Sequence, residues 1–122
     1  MKALIILAHG SRREQSNHEC MQLSKTLSSI SNTFDTITHA FLECAEPSLA
    51  KAIESLHVKA YTDIYIYPYF LNDGVHVSRD IPDILLRCQE LFPTCSIRLL
   101  EYFGKNSAIA TLITDDIALQ LS

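Results

Sequence analysis

The sequence predicts one α/β domain over residues 1–122, with a four-stranded, mainly parallel sheet between two layers of helices. The chain has 122 residues, of which 48% are apolar, so it suits a single domain with a packed core. Strand and helix patterns alternate strictly along it, which is typical of parallel sheets. The first strand pattern is continuously apolar, as expected for a strand that helices cover on both faces.

Each of the four strands has its own signal. Residues 3–8 form the apolar run, and residues 36–42 are rich in β-branched and aromatic side chains. The run 64–67 stops at Pro68, and a fourth strand is expected at 97–100. If the order is 2-1-3-4, the flavodoxin-like arrangement, the first three strands lie side by side.

The helices are expected to begin at turn and capping signals. Ser11 with Glu14 has the form of a capping box before the first helix, and Pro47 is expected in the first turn of the second. Asp80 is expected as the N-cap of the third helix, and the fourth should follow the turn signal at 104–107. The core-facing residues expected on the first three helices are Cys20, Leu23, Leu27, Ile30, Leu49, Ile53, Leu56, Ile84, Leu85, Cys88 and Leu91, and the fourth carries Ile109, Leu112, Ile113 and Ile117.

Composition narrows the classes of function. A net charge of -4 without a run of Lys or Arg argues against nucleic-acid binding. The N-terminal apolar run is too short for a membrane span and lacks a cleavage site, so we expect a cytoplasmic protein with no membrane partner. The four cysteines form no C-x-x-C pair, which indicates free thiols in a reducing compartment.

Three polar side chains are expected at one edge of the sheet. Ligands of open parallel sheets bind beyond the carboxyl ends of the strands. His9 follows the first strand, Glu43 the second, and His76 lies in the loop after the third. Two imidazoles and a carboxylate suit a first-row divalent metal, and they equally suit proton abstraction. Taken alone, His9 is equally consistent with an ordinary turn residue, His76 indicates a site slightly less than His9 does, and Glu43 fits a solvated turn residue better than a site residue.

Basic and aromatic residues are expected near the same edge. Arg12 and Arg13 open the first helix, and Arg79 precedes the third. Together with helix N-termini they would suit an anionic ligand, although a solvated face explains each arginine equally well. Tyr69 and Phe70 could reach a flat ligand.

Three segments resemble a known family when taken together. They are 4–12 (LIILAHGSR), 41–49 (FLECAEPSL) and 74–82 (GVHVSRDIP). In this spacing they resemble the small-form sirohydrochlorin chelatases of the class II chelatase family, known in cobalamin biosynthesis as CbiX. The resemblance runs from residue 1 to about residue 100.

The resemblance implies insertion of a divalent metal, Co²⁺ before Fe²⁺ or Ni²⁺, into sirohydrochlorin, an eight-carboxylate tetrapyrrole. It implies a chelatase-like fold, and metal-binding and catalytic roles for His9 and His76, with Glu43 as the acidic residue of the cleft. The metal is a substrate, and no tightly bound cofactor is expected. Longer members hold two tandem copies of the domain, so a homodimer is implied for this chain. The residues expected to contact the tetrapyrrole are Ser11, Arg12, Arg13, Phe70, Gly74, Val75 and Arg79.

One departure from the family and three rival functions stay open. Many relatives carry a Gly-x-His-Pro-like signal after strand four, where this chain has GKNS at 104–107. A non-catalytic metal carrier could use the same residues. A histidine-phosphatase type is disfavoured because Ala8 replaces the arginine of that signature, and a flavodoxin-like nucleotide binder because no Gly-rich loop follows strand one.

Overall fold

The computed structural model describes residues 1–122, apart from the side chains at positions 75 and 76. The strands are β1 (Lys2–Ala8), β2 (Thr36–Phe41), β3 (Asp63–Pro68) and β4 (Ser96–Leu99). The helices are α1 (Glu14–Ile30), α2 (Leu49–Val58), α3 (Val75–Leu91) and α4 (Ile109–Leu121), with a short 3₁₀ turn at Phe103–Lys105. The strands form one parallel sheet in the order β2-β1-β3-β4, which confirms the predicted fold class and strand order.

The register of the sheet brings three strand ends to one edge. Ala8 is level with Phe41 of β2, and Leu7 is level with Pro68 of β3. The connections that follow β1, β2 and β3 therefore leave the sheet side by side, and side chains placed just after these strands can meet.

The main core lies on the face that α2 and α3 cover. Alternate residues of β1, namely Ala3, Ile5 and Leu7, are fully buried there. They pack in one cluster with residues of α2 and α3, among them Ile53 and Leu85. Because each strand of a parallel sheet must bury side chains on both faces, the opposite face needs its own cover.

The opposite face is covered by α1, over Leu4 and Ile6, and the predicted Cys20 is buried there. In α4, Ile109 is half-buried and every later residue is exposed. Among the described residues, no helix has the length and apolar character needed to cross a bilayer. The prediction that Ile30 and Leu91 face the core is wrong, since each is the last residue of its helix and 72% exposed.

Two predicted helix starts are also wrong. Arg13 is the N-cap of α1, and Ser11 belongs to the preceding loop, where its hydroxyl accepts a hydrogen bond from the Arg13 amide at 3.0 Å. The side chain of Asn17 closes this loop by bonding to both the amide and the carbonyl of Ser11. Helix α3 takes Gly74 as its N-cap, so Asp80 lies within the helix.

Smaller shifts occur at two other boundaries. Helix α2 begins at Leu49 with Ser48 as its N-cap, so Pro47 precedes the helix and is not in its first turn. The fourth strand ends at Leu99, one position earlier than predicted. The other predicted core residues of α2 and α3 are buried or half-buried, as expected from their spacing.

Candidate functional site

The side chains of His9 and Glu43 lie in contact at the carboxyl edge of the sheet. The parallel ladder continues beyond the strands, because the Leu42 amide donates to the Ala8 carbonyl (3.1 Å) and the Glu43 amide to the His9 carbonyl (3.0 Å). These bonds set the two side chains next to each other, with His9 Nδ1 3.2 Å from Glu43 Oε1. Both side chains are about half exposed, at 52% and 57%, so the pair is accessible to a ligand.

Gly10 makes this close approach possible. Its φ of +94° lies in the left-handed region, which residues with a Cβ adopt at a cost. A Cβ atom built on Gly10 would lie 1.8 Å from the Glu43 carbonyl oxygen and 3.3 Å from Phe41 Cβ. The glycine therefore lets the loop after β2 reach the backbone of His9.

A cavity of about 170 Å³ opens beside the pair. One wall is formed by His9, Leu42 and Glu43. The other belongs to α3, which contributes Asp80, Asp83, Ile84 and Arg87. Three carboxylates and one guanidinium line the cavity, so its charges favour a cation over an anion.

The contact with Glu43 indicates which imidazole nitrogen of His9 faces a ligand. The carboxylate of Glu43 lies 3.2 Å from His9 Nδ1, which leaves Nε2 as the nitrogen that can bind a metal ion or accept a proton. A carboxylate that fixes the tautomer of a histidine ligand is common at metal sites. Within the part of the chain whose side chains are described, no three His, Cys, Asp or Glu residues are placed to hold a metal together.

Buried thiols supply no alternative ligands for a soft metal. Burial raises the pKa of the Cys20, Cys88 and Cys95 thiols, so they remain protonated near neutral pH. Cys44 is exposed in the loop after β2 and is a free cysteine like the other three.

The structure places one of the predicted substrate-contacting residues against His9 and leaves the others apart. The ring of Phe70 stands edge-on to that of His9, with centroids 6.3 Å apart. Arg12, Arg13 and Arg79 are exposed and do not line the cavity.

The remaining predicted contacts do not line it either. Ser11 is half-buried in its loop, and Gly74 is exposed at the start of α3. The predictions for Val75 and His76 concern side chains outside the described ones.

Sequence reasoning missed the α3 wall of the cavity. Asp80, Asp83 and Arg87 follow one another at helical spacing, which places them on a single face of α3. This spacing is visible in the sequence, but the prediction of Asp80 as an N-cap kept it from being recognised as one helix face.

Comparison with known proteins identifies the family of the chain. The CbiX family matches residues 3–119. A sirohydrochlorin cobaltochelatase of Methanococcus aeolicus is 33% identical over 92 residues, which are 74% of this chain and 64% of that protein. A chloroplastic sirohydrochlorin ferrochelatase of Arabidopsis thaliana is 27% identical over 114 residues, 93% of this chain and 50% of that protein.

A solved structure extends the match to nearly the whole chain. The crystal structure described as a cobalamin (vitamin B12) biosynthesis CbiX protein from Marinobacter aquaeolei VT8 is 27% identical, with a TM-score of 0.81. It covers 99% of this chain and 98% of that one. The match to five of the curated cobaltochelatases spans about three fifths of their length, 58% to 64%. From the family match over residues 3–119, the chain belongs to the CbiX family.

Proposed function

We propose that this chain inserts a divalent metal ion into sirohydrochlorin, with Co²⁺ as the favoured metal. The observation that carries the proposal is the His9–Glu43 pair, 3.2 Å apart, beside a cation-favouring cavity at the carboxyl edge of the sheet. The family membership and the names of its relatives support the substrate.

The exchange that the site must promote is balanced in charge. Two pyrrole N–H protons leave the macrocycle and one M²⁺ ion takes their place. His9 Nε2 can hold the incoming metal or accept a pyrrole proton, but one lone pair cannot do both at once. We therefore assign His9 and His76 complementary roles in metal delivery and proton removal.

The carboxylates of the cavity complement the imidazole. Glu43 orients His9 through Nδ1 and stabilises the imidazolium that forms when Nε2 takes a proton. Asp80 and Asp83 on the facing wall add negative charge that attracts M²⁺ and compensates for its lost water ligands.

The size of the cavity sets the position of the macrocycle. Pockets that enclose drug-sized ligands usually have roughly 300–1,000 Å³. A cavity of about 170 Å³ admits a metal ion with its waters or a carboxylate arm, but not a tetrapyrrole. The ring must therefore lie across the mouth, within reach of Phe70.

With the ring across the mouth of the cavity, the carboxylates at the edge of the macrocycle are the groups that the protein surface can contact. We assign Arg12, Arg13 and Arg79, all exposed, to the peripheral carboxylates through charge-assisted bonds. The further contacts that we propose are with Ser11, Gly74 and Val75.

The metal, the assembly and the compartment complete the proposal. Imidazole with carboxylate suits Co²⁺, Ni²⁺ and Fe²⁺, and relatives are named for both cobalt and iron. We place the protein in the cytoplasm as a homodimer without a resident cofactor. Four free cysteines are in keeping with a reducing compartment.

The test follows the visible spectrum of sirohydrochlorin mixed with Co²⁺, Ni²⁺ or, without oxygen, Fe²⁺, with and without protein. We expect the protein to accelerate insertion, fastest for Co²⁺. Glu43→Gln should slow it about 10–100-fold, as for other residues that orient a ligand. His9→Ala should slow it more.

His18→Ala is the matched control. His18 is exposed on α1, and its ring contacts Gln22 of the same helix. It should insert metal at the parental rate. A His9→Ala protein with normal turnover would overturn the assignment. Protein that binds Co²⁺ but leaves the insertion rate at the protein-free value would identify a metal carrier instead.

A further inference from the structure

The α3 wall of the cavity contains one group that repels a metal ion. Arg87 lines the same cavity as His9, Glu43, Asp80 and Asp83. A guanidinium does not lose its proton in proteins, so its positive charge is permanent. A cavity whose other charged groups favour a cation thus contains a cation of its own. The function proposed above assigns no role to this arginine.

The position of Arg87 along α3 places it at the inner end of the wall. The helix follows β3 and precedes β4, which is parallel to β3, so it runs from the carboxyl edge of the sheet back towards the amino edge. Asp80, Asp83 and Arg87 lie on one helical face, at spacings of three and four residues. Along the helix axis, Arg87 is about 10 Å further from the carboxyl edge than Asp80 is. The stem of this side chain thus enters the cavity from the end away from the edge that the macrocycle would cover.

Among the described side chains, no ion pair neutralises the charge of Arg87. An aspartate and an arginine four residues apart on a helix often form one. Here Arg87 Nε donates instead to the backbone carbonyl of Asp83, at 3.5 Å. Burial raises the pKa of the Cys88 thiol, and the charge of Arg87 opposes that increase. The guanidinium therefore acts through space on the groups around it.

The charges of the wall balance a divalent ion only when Arg87 is counted. With His9 neutral, the three carboxylates less the one guanidinium leave two negative charges, which match the charge of M²⁺. Without Arg87 a third negative charge would face the ion and hold it more tightly. Tight holding is a disadvantage in a site that passes its metal on, because an interaction that stabilises only the bound ion slows the transfer step.

We propose, on the basis of the function proposed above, that Arg87 limits the affinity of the cavity for the divalent ion and thereby speeds its transfer to the macrocycle. In the bound state the ion shares the cavity with the guanidinium. During transfer it moves towards the carboxyl edge, and the repulsion weakens as the two charges separate. Arg87 therefore raises the free energy of the bound state more than that of the transition state, which lowers the barrier between them.

A rival role for Arg87 is to hold one carboxylate arm of the macrocycle, since a guanidinium binds carboxylates through paired hydrogen bonds. The two roles have opposite consequences when the positive charge is removed. Loss of a carboxylate contact weakens the binding of sirohydrochlorin and leaves the affinity for the free metal ion unchanged. Loss of a repelling charge strengthens the binding of the free metal ion, whether or not the macrocycle is present.

The first test measures the dissociation constant of Co²⁺ by titration calorimetry, without macrocycle. The site of interest is the one that His9→Ala removes. Arg87→Gln should bind Co²⁺ about 10-fold more tightly than the parent, the order expected for one screened charge several ångström from a divalent ion. Arg87→Lys keeps the charge and should stay within about 3-fold of the parent. Added salt should reduce the difference between Arg87→Gln and the parent.

Arg98→Gln is the matched control for net charge. Arg98 of β4 lies over the ring of Tyr65, 5.8 Å from its centroid, and does not line the cavity. The substitution removes the same charge as Arg87→Gln, but at a distance from which salt screens its effect. Its dissociation constant for Co²⁺ should therefore stay within about 2-fold of the parental value.

The second test measures the kinetics of insertion as the concentration of Co²⁺ is varied. Arg87→Gln should lower KM for Co²⁺ and kcat together, because it stabilises the bound ion more than the transition state. Arg87→Lys should restore both towards the parental values. Damage to the fold would lower kcat without tighter binding of Co²⁺, and thermal unfolding by circular dichroism would reveal it.

Two results would overturn the role of Arg87 while leaving the proposed function intact. One is an Arg87→Gln protein that binds Co²⁺ no more tightly than the parent, and a raised KM for sirohydrochlorin would then identify a carboxylate contact. The other is tighter binding of Co²⁺ with a parental kcat. A parent that binds Co²⁺ but does not accelerate insertion would overturn the proposed function and the transfer step, whereas the dissociation constants would still decide whether Arg87 limits the affinity.

Discussion

Replacing Gly10 with Ala is expected to damage both stability and the candidate site. The residue has a φ of +94°, and its missing side chain leaves room for the carbonyl of Glu43. A methyl group there would have to displace the loop after β2. That loop carries Glu43, whose carboxylate orients His9.

The expected loss of unfolding free energy in Gly10→Ala is the sum of two terms. A non-glycine residue in the left-handed region costs on the order of 1–3 kcal/mol. A Cβ placed 1.8 Å from the Glu43 oxygen also forces apart the Glu43 amide and the His9 carbonyl, whose hydrogen bond contributes about 1 kcal/mol. The expected loss in unfolding free energy is about 3 kcal/mol. For 122 residues, at about 2.1 cal/mol/K per residue, Tm falls by roughly 12 °C.

The assay is thermal unfolding followed by circular dichroism, together with the metal-insertion rate at a temperature where both proteins are folded. Gly74→Ala is the stability control, because Gly74 has a φ of -70° and no atom within 4 Å of a Cβ built on it. It should change Tm by less than about 4 °C. A Gly10→Ala protein that melts within about 4 °C of the parent would refute the steric reasoning.

Three further predictions concern the scaffold. Ser48→Ala should lower the unfolding free energy in urea by about 1 kcal/mol, since the Ser48 hydroxyl caps α2 by accepting from the Lys51 amide at 3.2 Å; an unchanged midpoint would contradict the cap. Ile53→Ala should cost about 2–5 kcal/mol by leaving a cavity at a fully buried position, and a loss below about 1 kcal/mol would show that the core relaxes there. Burial, with a smaller effect of Lys25, lowers the pKa of His39 below its ordinary value of 6.5, so the unfolded chain binds the proton more tightly. Stability should therefore hold above about pH 6.5 and fall as the pH drops through the lowered pKa, and His39→Gln should flatten this decline in urea titrations at each pH.

The fold was predictable because its signals are local and repeated. Each apolar strand is followed by an amphipathic helix, and the parallel order brings the strand ends together. That rule alone predicted that His9 and Glu43 would be neighbours, and the structure places their side chains 3.2 Å apart. Their roles in metal insertion remain predictions, as does the part assigned to His76.

The errors came from places where several local signals compete. Ser11 and Glu14 match a capping box, yet Asn17 takes both backbone groups of Ser11 and the helix starts after Arg13. Asp80 is a good N-cap by type, but the helix already begins after Gly74. That error placed Asp80 at the boundary of the helix, so the face that it shares with Asp83 and Arg87 was not recognised.

Helix α4 shows a different limit of sequence reasoning. Its apolar spacing is typical of a buried face, yet Leu112, Ile113 and Ile117 are 54%, 53% and 50% exposed, and periodicity does not say what would cover them. Ile113 and Leu112 would produce the same pattern whether they packed on their own sheet or on that of another copy. Whether the apolar face of α4 is covered can be read only from the exposed fraction of its side chains in the folded domain. The sequence pattern does not contain that information.

The His9–Glu43 pair is held by the backbone, and this separates its effect on activity from its effect on stability. An ion pair between side chains that are 52% and 57% exposed contributes little to folding, at most about 1 kcal/mol. Its geometry comes instead from the amide-to-carbonyl bonds after β1 and β2 and from the space left by Gly10. Glu43→Gln should therefore slow metal insertion with almost no change in Tm, whereas Gly10→Ala should lower both. If Glu43→Gln destabilised the fold as much as Gly10→Ala, the pair would be structural, and the orienting role assigned to the carboxylate would fail.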